Sequence, residues 1–443
     1  MRKIFLLVLS TFILSISSFA QIQSGTIQSG PMLGYSEMKE VLLWVQTQKE
    51  ASVKFVYWDK ENSAVKFSTD EVKTNKTDVF VAKLIADKVL PGKKYNYEVY
   101  VDKKNVNFSY PLEFQTQTLW QWRTDPPAFK FAVGSCTYVN EDPFDRPGKP
   151  YGSEYEIFTS IYKSKPDFMV WSGDNTYLRE VDWNTKTGIL HRYTHTRSLP
   201  EMQPLLANVH NYAIWDDHDF GPNDADRGFV SKQQTLDAFK LFWGNLNYAF
   251  DNEGVTGSFQ WADCQFFLVD DRWWRTPNDR TTGSRDYFGQ KQMQWLIDAM
   301  KFSNAPFKFV VVGGQVGNPA KIFENYANYE EERNQFFDLI TKEKIPGVIF
   351  ISGDRHWTAL CKTERAGTYP LYDLTVSALT SGPSGPVKEE KDTPYVEGTS
   401  VTKHNYGLLE VSGKRNDRVL KINVLDKDGK ELWTKEIKAS ELR

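Results

Sequence analysis

The 443-residue chain is poor in several features that define specialised classes of protein. Three cysteines, Cys136, Cys264 and Cys361, are too few for a disulfide scaffold. A formal net charge of only −3 gives no reason to expect a nucleic-acid partner. After residue 20 no apolar run is long enough to cross a bilayer, so no stable membrane insertion is expected. What remains is a large, aromatic-rich globular chain with room for two domains.

Residues 1–20 have the pattern of a secretory signal peptide. Arg2 and Lys3 precede the apolar stretch IFLLVLSTFILSI, and small residues lead to Ala20. We therefore predict export to the periplasm or the medium, without a lipid anchor because no lipobox cysteine follows. In an oxidising compartment an unpaired thiol is either buried and inert or bound to a metal.

The rest of the chain shows two different sequence patterns. Residues 21–120 alternate apolar and polar positions between turns, which predicts a small antiparallel β-sandwich. Its LPGKKYNYEV segment resembles the turn and tyrosine corner of fibronectin type III-like (Ig-like) domains. A proline-rich boundary follows near residues 122–130, and residues 130–443 alternate short apolar strands with amphipathic helices. This alternation predicts an α/β catalytic domain whose strands are buried between layers.

Six apolar runs after residue 130 end in side chains that can bind a cation. In chain order these side chains are Cys136, Asp174, Asp217 with His218, Asp270 with Asp271, Gln315, and Asp354 with His356. One strand that ends in Asp is usually a helix cap or a turn, and the acidic stretch WDDHDFGPND alone could be a solvated turn. Six such ends favour one site, because ligands of α/β sheets bind beyond the carboxyl ends of the strands.

The types of side chain restrict the cation. Carboxylates and amides suit a hard ion such as Ca²⁺, whereas a thiolate, an imidazole and the phenolate of Tyr177 suit a transition metal such as iron or zinc. A mixed set predicts a multinuclear site, in which cations clamp the oxygens of an in-line displacement. That chemistry is phosphoester hydrolysis.

The ordered motifs GSC, SGDNTY, WDDHDFGPND, DDRWWR, FGQKQMQWL and SGDRHW resemble those of the alkaline phosphatase D-like (PhoD-like) branch of the calcineurin-like metallophosphoesterases. The resemblance covers about residues 130–425 and implies a two-sheet α/β/β/α sandwich preceded by an Ig-like domain. The chain departs from the general superfamily pattern, since GSC stands where Asp-x-His is usual and GGQ replaces the middle Gly-His. These departures fit the branch that uses Fe³⁺ together with one or two Ca²⁺ ions, with zinc or manganese as the fallback.

The resemblance and the ligand types together imply a metal-binding set, with Asp174 as the bridging carboxylate. Its members are Cys136, Asp174, Tyr177, Asp217, Asn223, Asp354 and His356. Asn223 is explained equally well by a Gly-Pro-Asn-Asp turn.

The catalytic residues that we predict are His218 and Arg272. His218 either acts on the phosphate or the leaving oxygen, or orients a ligand. Arg272 either holds a phosphate oxygen or forms a salt bridge. Asp216 and Asp219 are predicted to support the ligands. We interpret His191 and His195 as structural, and Cys264 and Cys361 as buried thiols rather than a disulfide.

The sequence thus predicts an exported, monomeric hydrolase of phosphate monoesters, with diesters as a further substrate class. One alternative is a dedicated phosphodiesterase or a phospholipase D-like enzyme, and another is a non-catalytic calcium- and carbohydrate-binding surface protein. The Gly/Ser/Pro stretch at 380–386 begins a loop, up to about residue 403, that could cover the site.

Overall fold

The computed structural model describes residues 26–443, so the predicted signal peptide at 1–20 lies outside the described residues. Within that range, no helix combines the length and apolar character needed to span a membrane.

Most of the described chain is organised in β-strands. They are β1 (Ile27–Ser36), β2 (Val41–Thr47), β3 (Ser52–Asp59), β4 (Phe67–Ser68), β5 (Val72–Lys73), β6 (Val81–Ala86), β7 (Lys94–Val101), β8 (Lys104–Val106), β9 (Glu113–Gln115), β10 (Phe129–Gly134), β11 (Phe168–Ser172), β12 (His210–Ile214), β13 (Gly257–Trp261), β14 (Cys264–Leu268), β15 (Lys308–Val311), β16 (Val348–Ser352), β17 (Ala359–Thr363), β18 (Leu371–Thr375), β19 (Asn405–Ser412), β20 (Val419–Asp426) and β21 (Glu431–Lys438).

The helices lie in the second part of the chain. They are α1 (Ile157–Lys163), α2 (Lys186–Arg197), α3 (Gln203–Asn208), α4 (Asp217–Phe220), α5 (Lys232–Phe242), α6 (Gln290–Phe302) and α7 (Glu330–Lys342). Short 3-10 turns occur at Lys76–Asp78, Pro200–Met202, Tyr326–Tyr329, Lys388–Glu390 and Ala439–Glu441.

Two stacked sheets form the centre of the α/β part. One sheet has the order β21-β20-β19-β10-β11-β12-β1-β2-β6, and the other has the order β13-β14-β15-β16-β18-β17. Aromatic rings fill the space between them, with Phe131 5.2 Å from Phe266 and 5.3 Å from Phe309. The central strands are buried on both faces, which explains their continuous apolar sequences.

Helices cover the two outer faces. Residues of α1, α2, α3 and α5 pack together over the nine-stranded sheet, and those of α6 and α7 pack against the other sheet. Helix α6 buries Met293, Leu296, Ile297 and Met300, which lie at i, i+3, i+4 and i+7 on one face. The predicted α/β/β/α architecture is confirmed.

The N-terminal strands build a β-sandwich that shares a sheet with the α/β part. A six-stranded sheet, β4-β3-β7-β8 with β5 and β9 beside it, packs on β1, β2 and β6 around a core that contains Leu43, Phe55 and Tyr97. Strand β1 also pairs in parallel with β12, where Leu33 lies opposite His210. The predicted strand-rich N-terminal region is confirmed, whereas the domain boundaries at 120 and 130 stay predictions.

Parallel pairing brings distant residues together. Strands β10, β11 and β12 run parallel in one sheet, and β14, β15, β16 and β18 run parallel in the other. Their carboxyl ends therefore meet at one edge of the sandwich, where the connections that leave the strands carry the predicted ligands.

Candidate metal centre

Four of the predicted ligands have a left-handed backbone. The φ angles are 61° at Cys136, 53° at Asp174, 63° at Asp354 and 57° at His356. Non-glycine residues rarely adopt this region, and such strain concentrates where a function requires it. Each residue follows the end of β10, β11 or β16. The left-handed conformation turns the backbone sharply there and changes the direction of the side chain at the sheet edge.

A first group of donors joins Cys136, Asp174 and His356, whose ligand atoms lie within 4.8 Å of one another. Cys136 Sγ lies 3.7 Å from Asp174 Oδ2, and Ser377 Oγ donates to the sulfur at 3.0 Å. Burial raises the pKa of the Cys136 thiol to about 11. A thiolate in this place therefore requires a nearby cation.

Tyr177 belongs to the same end of the site. Its hydroxyl lies 3.2 Å from His356 Nε2, and its buried ring lies 4.2 Å from the His218 ring. Nδ1 of His356 is 2.8 Å from the Gly382 carbonyl oxygen, a geometry in which Nδ1 donates and Nε2 is left as the donor atom for a cation. Gly382 belongs to the loop predicted as a cover, which thus contacts a site residue.

A second group joins Asp174, Asp217 and His218. The His218 backbone N–H donates to Asp174 Oδ1 at 3.2 Å, and His218 Nε2 lies 4.0 Å from Asp217 Oδ2. Burial and the neighbouring Asp217 raise the pKa of Asp174 well above its usual value. Burial also lowers the pKa of His218.

A third group joins Asp217, Asp224 and Glu324. The Asp224 backbone N–H donates to Asp217 Oδ2 at 2.7 Å. The sequence interpretation missed Asp224 and Glu324. Asn223 is an exposed residue of the same turn, and its role as a ligand stays a prediction.

Asp354 lies beside the site without joining these groups. Among residues 26–443 the three groups do not include its carboxylate, although its carbonyl oxygen is 3.7 Å from Cys136 Sγ. Burial and the nearby Glu324 raise the pKa of Asp354 to about 6. This carboxyl is thus protonated more readily than a free aspartate, and a bound cation would offset the local negative charge.

Arg272 requires a correction. Its side chain is fully buried, donates from Nε to Asp216 Oδ1 at 2.6 Å, and donates from Nη2 to Glu324 Oε2 at 2.9 Å. Both carboxylates are buried as well, so this guanidinium neutralises them and has no exposed surface for a phosphate oxygen. The salt-bridge alternative is the one the structure shows.

Three further acidic or polar residues near the site, Asp219, Asp270 and Gln315, form structural hydrogen bonds. Asp219 accepts backbone N–H bonds from Asn175, Thr176 and Asp216, and so holds the turn that follows Asp174. Asp270 accepts three backbone N–H bonds and has a structural role. Gln315 is likewise engaged, since its amide donates to Thr375 Oγ1 at 2.8 Å.

The remaining histidines and cysteines lie outside the three groups. His191 Nε2 is 2.9 Å from Glu141 Oε1, and His195 Nε2 is 3.0 Å from the Asn140 carbonyl oxygen, as expected of structural residues. Cys264 and Cys361 are buried free thiols.

The donors fit a set of cations. The three groups form a continuous row because Asp174 is shared by the first two and Asp217 by the last two. One oxygen of the row, Oδ1 of Asp217, is buried without a hydrogen-bond partner. Crowded, desolvated carboxylates are unfavourable by themselves and become favourable around bound metal ions.

Comparisons with known proteins assign the chain to a family. A family model described as PhoD-like phosphatase matches residues 131–416, and one described as a domain of unknown function (DUF7800) matches residues 24–119. No curated protein sequence matches the chain.

One of the matching solved structures has a similar fold over most of the chain. A protein described as "Structure of PhoD" superposes with a TM-score of 0.75 at 16% identity, over 96% of this chain and 93% of that one. A 5′-nucleotidase precursor from Thermus thermophilus is similar with a TM-score of 0.31 at 14% identity, over 71% of this chain and 55% of that one. Because its model matches more than half of the sequence, the chain belongs to the PhoD-like phosphatase family, as the motifs predicted, and is a metal-dependent hydrolase of phosphoester bonds.

Proposed function

We propose that this chain is an exported phosphoesterase that hydrolyses phosphate monoesters, with diesters as a second substrate class. One observation supports this proposal most directly. The donor row is chemically different at its two ends, with a thiol, a phenol and an imidazole at one end and carboxylates alone at the other.

The two ends suit different cations. Cys136, Tyr177 and His356, with one oxygen of Asp174, would hold iron, because thiolate, phenolate and imidazole favour transition metals. Asp217, Asp224 and Glu324 would hold calcium, which prefers several oxygen ligands. Asp354 and Asn223 remain proposed additional ligands of this row.

The cations and the side chains have different roles in the proposed hydrolysis. Bound cations neutralise charge on the phosphoryl oxygens and lower the pKa of an attacking water. His218 is held by its ring contact with Tyr177 and by its backbone bond to Asp174, which fixes the position of Nε2. We assign to this nitrogen a hydrogen bond to an ester oxygen, where it assists departure of the alcohol.

Activity measurements test the proposal. The mature chain is purified with its native metals, its iron and calcium content is measured, and an aryl phosphate and a bis-aryl phosphate are supplied as substrates. Hydrolysis of the monoester is expected. A fully metallated protein that is inert on both substrates would refute the assignment, and a hundredfold preference for the diester would make it a phosphodiesterase.

Export and oligomeric state need separate measurements. The basic start and apolar core at residues 1–20 support export, and the mature N-terminus is expected at Gln21. N-terminal sequencing of protein recovered outside the cytoplasm checks this. Light scattering on the same material checks the proposed monomer.

A further inference from the structure

Phe323 is unusual in two respects. Its side chain is 60% exposed, although burial of a large aromatic ring would stabilise the fold. Its φ of 46° is in the left-handed region, which a bulky residue rarely occupies. The backbone thus adopts an unfavourable conformation at a residue whose ring points into solvent.

The ring has a fixed support on one side. The Arg355 guanidinium lies 4.8 Å from the ring centroid, within cation–π range. Arg355 is itself held by Glu390, with contacts of 2.7 and 3.0 Å from Nη1 and Nη2. Because this ion pair is largely buried, the guanidinium is held in a fixed position against the ring. The exposed area belongs to the remainder of the ring.

Two chain segments connect this ring to residues of the metal centre. Phe323 directly precedes Glu324, a member of the third donor group. Arg355 directly follows Asp354 and precedes His356, a member of the first group. Phe323 is therefore the sequence neighbour of a donor at one end of the row, and its ring contacts a residue that lies between Asp354 and His356.

We propose that the exposed part of the Phe323 ring is the subsite for the leaving group of the phosphoester, and that it favours planar, apolar alcohols such as phenols. This inference rests on the proposed function. A flat leaving group would stack on the ring while its phosphoryl group occupies the donor row. The energy of such a contact is shared by the ground and transition states, so it acts mainly on KM.

The chain provides a matched control in Phe302. This phenylalanine is 89% exposed but ends α6, just before β15 begins at Lys308, and therefore lies near the amino ends of the parallel strands. The donor row lies beyond the carboxyl ends. Phe302→Ala therefore deletes an exposed phenyl ring of the same size without affecting the site.

The experiment compares Phe323→Ala, Phe323→Tyr and Phe302→Ala in the metallated protein, with 1-naphthyl phosphate and glycerol phosphate as substrates. Phe323→Ala should lower kcat/KM about 3- to 10-fold on naphthyl phosphate through a higher KM, the size of one ring–ring contact. Activity on glycerol phosphate should change by less than about twofold, since that contact is absent there. Phe323→Tyr and Phe302→Ala should both behave as the wild type.

The outcomes separate this inference from the function on which it rests. Equal losses on both substrates, or no loss on either, overturn the subsite while leaving phosphoester hydrolysis in place. A Phe302→Ala variant with the same selective loss overturns it too. A metallated wild type that hydrolyses neither substrate refutes the proposed function instead.

Discussion

Replacement of Arg272 by alanine tests the corrected role of this residue. In the structure Arg272 donates to Asp216 at 2.6 Å and to Glu324 at 2.5 and 2.9 Å, and its side chain is fully buried. The substitution leaves the Asp216 carboxylate without its cation. Glu324 keeps a second partner, because Arg275 Nη2 lies 3.0 Å from its Oε1.

The expected loss of stability follows from burial. Two opposite charges about 4 Å apart interact by about 4 kcal/mol at an effective dielectric constant near 20. Breaking a buried ion pair by removing one partner costs about 3–5 kcal/mol, since an uncompensated charge stays behind. We expect the lower half of that range if Asp216 becomes protonated, and burial already raises its pKa well above the usual value.

Urea unfolding followed by tryptophan fluorescence measures this loss, with Arg227→Ala as the control. Arg227 pairs with Asp286 at 2.9 Å in a partly exposed position, where an ion pair contributes less than about 1 kcal/mol. An Arg272→Ala variant that unfolds like the wild type but loses more than about a hundredfold in kcat/KM, the size of one lost transition-state contact, would contradict the salt-bridge role. That result would place the guanidinium on the phosphate.

Three further predictions use other parts of the molecule. Cys136→Ser should lose iron and keep calcium in a metal analysis, because the sulfur is a donor only at the first group; equal loss of both metals would contradict the division. Asp174→Asn should reduce kcat on an aryl phosphate by about a hundredfold or more, since the shared carboxylate is removed; activity near the wild-type value would refute its bridging role. Burial lowers the pKa of His210 to about 4 from 6.5, so the unfolded chain binds the proton first as the pH falls. The free energy of unfolding should therefore drop by about 3 kcal/mol between about pH 6.5 and 4, and His210→Gln should lack this component in urea titrations at both pH values.

The sequence was sufficient for the part of the site that depends on strand ends. Cys136, Asp174 and His356 each follow an apolar strand, and parallel strands in two stacked sheets must bring such ends to one edge. No comparable signal marks Glu324. It lies between β15 and β16 in a segment without a regular element, and its place at the site depends on tertiary packing against Arg272 and Arg275.

Burial was the other property that sequence could not supply. Arg272 beside Asp271 is compatible with an exposed phosphate clamp or with a buried ion pair, and only the packing around Asp216 and Glu324 decides between them. The sequence also could not show that N-terminal strands and strands of the α/β part share one nine-stranded sheet. The pairing of β1 with β12 joins residues about 180 positions apart, which no local periodicity can indicate.

The acidic stretch WDDHDFGPND is stable because each carboxylate has a different source of positive potential. Arg272 neutralises Asp216, and three backbone N–H groups satisfy Asp219. Asp217 lies 4.0 Å from His218 Nε2 and accepts the Asp224 backbone N–H. Although burial opposes it, the neighbouring His218 and Arg272 lower the pKa of Asp217 to about 2. Burial and the nearby Glu324 instead raise the pKa of Asp224 to about 6. Three of the four carboxylates are thus held by the protein itself, and Asp224 is the one whose ionisation should depend on calcium.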